Sequence, residues 1–156
     1  YGIHVTGLTH DEQGYPVMTA EAQVDMVTHL TSKIQRNLDD IIKTASYRME
    51  DAEYAIISYG VSARSSLSAV DEAREQGIKA GLIKLITVWP FPDQAIDAIA
   101  ARVKGLITVE INLGQIHYEV ERCAHGQAAT YLVGDAGGKI IHPDKVVSLI
   151  QEVFQP

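Results

Sequence analysis

The chain has 156 residues, 46% of them apolar, enough to bury the core of one compact domain plus an appendage but hardly two. A formal charge of -7 excludes a nucleic-acid footprint, which needs clustered Lys and Arg to displace counterions from phosphates. One cysteine, Cys123, excludes an internal disulfide, a zinc ribbon or an iron–sulfur cluster held by this chain, since each needs several thiolates. A cytoplasmic setting is the expectation. No apolar run approaches the roughly 20 residues that span a bilayer, and the first residues lack the basic and apolar regions of a signal peptide, so no membrane partner is expected. The chain starts at Tyr1 rather than Met, which points to a fragment or a trimmed product.

Residues 1–18, YGIHVTGLTHDEQGYPVM, mix Gly, Pro and polar residues without a period and read as a connector. From Thr19, which can cap a helix, Ala22, Met26, Leu30, Ile34, Leu38, Ile41 and Ala45 recur every three or four residues. That spacing predicts one long linking helix across 19–50, ending near Arg48, with Lys33, Arg36, Asp39, Asp40 and Lys43 on its other face.

The region 51–156 alternates between strand and helix signals. YAIISYG predicts a strand ending at Gly60, and Ala63, Leu67, Val70 and Ala73 the inner face of a helix that stops at Gly77. AGLIKLITV repeats the strand, Pro92 opens a helix containing Ile96, Ile99, Ala100 and Val103, and Gly105 closes it. LITVE at 106–110 is a third strand, Gly114 to Ala124 a third helical segment and ATYLV a fourth strand. GDAGGK turns the chain into a helix begun by Pro143, with Val146, Val147, Ile150, Val153 and Phe154 facing inward. Apolar strands alternating with helices predict a three-layer, Rossmann-like α/β fold with a mostly parallel sheet. Ligands and partner loops gather at the carboxyl ends of such strands. The segments of interest are therefore Gly60 to Ser66, Thr87 to Pro92 and Glu110 to Gln115.

In SYGVSARSS, a glycine and several hydroxyls stand at a helix start, where free N–H groups and the helix dipole suit an anion and Arg64 adds charge. The simpler reading is that Ser62 caps the helix and Gly60 makes the turn. Neither this stretch nor GDAGGKI matches a dinucleotide fingerprint or a P-loop. In WPFP, the rings of Pro90 and Pro92 fix φ and push Trp89 and Phe91 into extended backbone. The result is a rigid aromatic elbow that suits a protein interface. Glu110, Asn112 and Gln115 follow the third strand, where a carboxylate and two amides suit hydrogen bonds to a ligand or a neighbouring domain better than catalysis, because no second titratable group stands beside Glu110. His117 and His125 are too far apart for one helical face, and no metal, catalytic or cofactor-binding residue is assigned.

Three stretches together, GLTHDEQGYP, GVSARSSLSAVDEAREQGIKAGLIKLITVWPFP and VEINLGQI, resemble the alpha subunit of 2-oxoacid:ferredoxin oxidoreductases, particularly the 2-oxoglutarate and branched-chain types. The resemblance implies a fold similar to the C-terminal domain of transketolase and of the 2-oxoacid dehydrogenase E1 beta subunit. It also implies a parent complex that uses thiamine diphosphate, magnesium and iron–sulfur clusters to decarboxylate a 2-oxoacid, passing the acyl group to coenzyme A and electrons to ferredoxin. The implied partners are an N-terminal pyrimidine-binding domain of the same subunit, a beta subunit and, through the complex, ferredoxin. The magnesium motif of thiamine enzymes is not matched here, so the expected role of this chain is assembly. The alternatives are another thiamine enzyme of the transketolase or E1 beta type, and a free-standing module binding a nucleotide or coenzyme A at Gly60 to Ser66.

Overall fold

The computed structural model describes residues 2–154, the side chain of Phe154 excepted. The chain divides into two compact units, meeting in sequence between Ile41 and Ile42. In the first, a tight turn is held by Asp11, whose carboxylate accepts from the backbone N–H groups of Gln13 and Tyr15 at 3.0 and 2.9 Å. Helix α1 (Ala20–Gln35) follows, and the Thr19 hydroxyl accepts from the Ala22 N–H, as the cap reading expects. A short α2 (Leu38–Ile41) comes after it.

The predicted helix across 19–50 is therefore corrected. It ends at Gln35 with Arg36 as its cap, and Asn37 bonds back to the carbonyl of Lys33 at 2.6 Å, a local polar bond that competes with helix continuation. Beyond α2 the chain is extended: β1 (Thr44–Tyr47) joins the second unit as an edge strand. Ile41 and Ala45 keep the three-to-four spacing only by coincidence.

The second unit adds β2 (Tyr54–Tyr59), α3 (Gly60–Glu75), β3 (Ala80–Leu85), α4 (Asp93–Ala100), β4 (Gly105–Glu110), α5 (Gln115–Ala124), β5 (Ala129–Gly134) and α6 (Pro143–Phe154). The sheet order is β1-β3-β2-β4-β5; β1 pairs antiparallel with β3, and the other pairs are parallel. This is the mostly parallel α/β sheet with helices on both faces. Alternate residues of the inner strands feed two cores. On one face Ala55, Ile57, Leu85 and Leu106 meet Ile96 of α4 and Val120 of α5; on the other, Ile56, Leu82 and Ile107 meet Val70 of α3 and Val146 of α6. Central parallel strands buried on both sides need continuous apolar, β-branched runs, and YAIISY and LITVE supply them.

Several local expectations shift. The AGLIKLITV strand stops at Leu85. Leu67 of α3 points outward, and Ser66 takes its place in the core by donating its hydroxyl to the Ser62 carbonyl at 2.9 Å. In α6, Val146, Val147 and Ile150 are buried and Val153 is half-buried, whereas the expectation for the Phe154 side chain lies outside the described residues. Among the described residues, no helix is long and apolar enough to cross a membrane.

Candidate functional site

The parallel strands run β3-β2-β4-β5, so β2 feeds outward to β3 and the chain then crosses back to β4 on the opposite face. The gap between the carboxyl ends of β2 and β4 is a topological switch point, where open α/β sheets form their ligand crevice. Register places Ser58 beside Val109, so Tyr59 and Glu110 end their strands side by side at this mouth.

Both residues are engaged with each other and with the loop above them. The Tyr59 hydroxyl donates to Glu110 Oε2 at 3.2 Å and accepts from Asn112 Nδ2 at 2.9 Å, and Asn112 Nδ2 also donates to Glu110 Oε2 at 2.8 Å. Glu110 is fully buried. Its oxygens take the backbone N–H groups of Ile116 and His117, at 3.0 and 2.9 Å, while Asn112 Oδ1 takes those of Gly114 and Gln115 at 2.8 and 2.9 Å. Four consecutive N–H groups around the start of α5, orphaned by helix geometry, thus find partners in two side chains. Carboxylates are favoured at that end by the helix dipole as well. Burial, and then the charge of Glu110, pushes the Tyr59 phenol above its ordinary range.

The fold gives each residue singled out in the sequence a definite place. Glu110 and Asn112 do need partners, but they find them inside the domain, and the side chain of Gln115 lies exposed beside them. Gly60 makes the turn, at φ +55, yet Ser62 does not cap α3: the cap position is Tyr59, without a side-chain bond, and Ser62 is buried one turn in. Arg64 is exposed on the same helix. The elbow divides its aromatics: Phe91 sits in the core against α4, Trp89 is 76% exposed, and the Trp89–Pro90 peptide is cis. Pro90 is buried and Pro92 stands immediately before α4 as its cap residue. The exposed Ile86, Leu113 and Tyr118 border the same edge and were missed, because a lone outward-facing apolar residue, in a loop or on the first turn of a helix, carries no periodic signal.

The residues at this edge do not fit a magnesium–diphosphate group. Among the described residues Glu110 is the sole buried acid, and backbone N–H, Tyr59 and Asn112 already bond its oxygens. Cys123 is buried in the core, where burial and then Asp93 raise its thiol to about 11.

The model of the pyruvate:ferredoxin oxidoreductase core domain II matches residues 52–146, most of the α/β unit and more than half of the chain. The chain belongs to this family. The 2-oxoglutarate synthase subunit KorA of Methanothermobacter thermautotrophicus is 44% identical over 96% of the chain, which covers 40% of that protein's length. A solved 2-oxoglutarate:ferredoxin oxidoreductase from Magnetococcus marinus, with 2-oxoglutarate, coenzyme A and succinyl-CoA bound, aligns at TM-score 0.78 and 25% identity over 97% of this chain and 27% of that one. A split-gene transketolase, an inactive beta4 tetramer, shares the fold at TM-score 0.58 and 16% identity over 69% of this chain and 40% of that chain. As a core domain II, the chain thus has the expected transketolase-like α/β architecture, and it spans about two fifths of the length of the KorA relative.

Proposed function

We propose that this chain is the C-terminal part of the alpha subunit of a cytoplasmic, thiamine-diphosphate-dependent 2-oxoglutarate:ferredoxin oxidoreductase, which decarboxylates the 2-oxoacid oxidatively and passes the acyl group to coenzyme A. The observation that carries this reading is the 44% identity to a 2-oxoglutarate synthase subunit across 96% of the chain. The boundaries proposed for the parent subunit are a connector over 1–18, a linking segment over 19–50 and the core domain over 51–156, after an N-terminal pyrimidine-binding domain. A beta subunit completes the complex, and ferredoxin takes the electrons.

Within that enzyme the chain's part is architectural. The side chains at the usual ligand crevice hold one another and the start of α5, which supports a role in shaping a surface rather than in proton or group transfer. The test is to purify the complex containing the full subunit and follow ferredoxin reduction. Reduction that requires coenzyme A and prefers 2-oxoglutarate to pyruvate and 2-oxoisovalerate is the expected result. Ketol transfer without ferredoxin reduction would instead make the parent a transketolase-type enzyme.

A further inference from the structure

The carboxyl edge of the sheet carries five exposed apolar side chains: Val61 after β2, Ile86 and Trp89 after β3, and Leu113 and Tyr118 after β4. The three strands are neighbours and end in one row, since Leu85 pairs with Tyr59 and Val109 with Ser58. Neighbouring strands lie about 4.8 Å apart, so the three ends span on the order of 10 Å. Trp89 and Leu113 are 76% and 73% exposed, and none of the five side chains is charged. Scattered apolar residues are ordinary on a protein surface, but a cluster on one edge with a tryptophan in it has the composition of an interface centre.

The cluster is also held in place. Leu113 rides on the loop whose ends are fixed by Glu110 and Asn112, and Trp89 is followed by a buried proline and a buried phenylalanine. Loops held in this way lose little further backbone entropy on docking.

We infer that this edge is the docking surface for the remainder of the same subunit, with Trp89 and Leu113 as its anchors. The inference rests on the reading that the chain lies within a longer subunit. The choice of occupant follows from length: the chain covers 40% of the KorA relative, leaving 60% of that polypeptide to be placed, all of it covalently joined and so at high effective concentration. An edge centred on apolar side chains suits a permanent contact of that kind, whereas complementary charge would set the encounter rate with a transient electron carrier.

The experiment uses the intact complex with p-benzoylphenylalanine in place of Trp89, and hydroxyl-radical footprinting of the unmodified complex alongside the 156-residue chain. Trp89, Leu113 and Tyr118 are expected to be labelled at least about tenfold more slowly in the complex, with Leu67 on α3 unchanged. Irradiation is expected to join position 89 to a distant peptide of the same polypeptide without raising its mass on a denaturing gel. Equal labelling in both samples, no crosslink, or a crosslink to a beta subunit or a second copy would overturn the inference. Ferredoxin reduction in the unmodified complex is scored separately: an active complex with an unprotected edge sinks the docking surface alone, and a protected edge in a complex inactive towards 2-oxoacids sinks the enzymatic reading alone.

Discussion

Tyr59 and Glu110 close the mouth between β2 and β4, with the phenol donating to the buried carboxylate at 3.2 Å. Removing the acceptor is therefore more damaging than removing the donor. Glu110→Ala strands the N–H groups of Ile116 and His117 and leaves a void, and the expected cost is about 3 kcal/mol. Tyr59→Phe keeps the ring and loses one hydroxyl, for about 1 kcal/mol. Urea unfolding of the two variants checks the order, and equal midpoints would contradict the account.

Position 81 tests how tightly the edge strand is seated. A Cβ there would lie 2.5 Å from Met49 Sδ and 2.7 Å from the Arg48 carbonyl oxygen. Gly81→Ala should cost about 1–3 kcal/mol, the range for overpacking, and should free the β1–β3 amides for hydrogen exchange ahead of those between β2 and β4.

The buried thiol gives a pH dependence with a definite sign. Cys123 has its pKa pushed up to about 11 from an ordinary 9.0, first by burial and then by Asp93. Between these values the unfolded chain has lost its proton and the folded chain keeps it, so stability present below pH 9 is lost as pH rises through 11. Thermal melts of wild type and Cys123→Ala should converge across that window. At pH 8 a disulfide reagent should label Cys123 only at the rate of unfolding.

Core packing offers a reference scale for these effects. Ile107 is fully buried in the inner strand β4, in one core with Val146 and Val147 of α6, so Ile107→Ala should cost about 2–5 kcal/mol. Arg64→Ala, on an exposed turn of α3, should stay within about 0.5 kcal/mol by the same measurement.

The inner parallel strands β2 and β4 are legible because a strand buried on both faces demands an apolar run, and YAIISY and LITVE have one. β1 was not legible. TASY lies at an exposed edge, where neither apolar nor alternating residues are required, and its place is fixed by pairing with β3, some 40 positions on. The candidate site was half legible. Glu110 and Asn112 stood out as polar residues at a strand end, and a carboxylate six residues before the helical N–H groups it meets is a local capping signal. The Tyr59 contact joins residues 51 apart, which only the sheet order brings together. For the same reason Ser62 misled: the strand enters α3 through Gly60 at positive φ, and the hydroxyl is carried into the core.

The exposed Trp89 and Leu113 have a bearing on solubility as well as on fit. A copy of this domain separated from the rest of its polypeptide would present the same apolar side chains to every other such copy. Solubility of the separated chain should thus fall as its concentration rises, and an occupant joined to it covalently would protect it better than any strengthening of its own core.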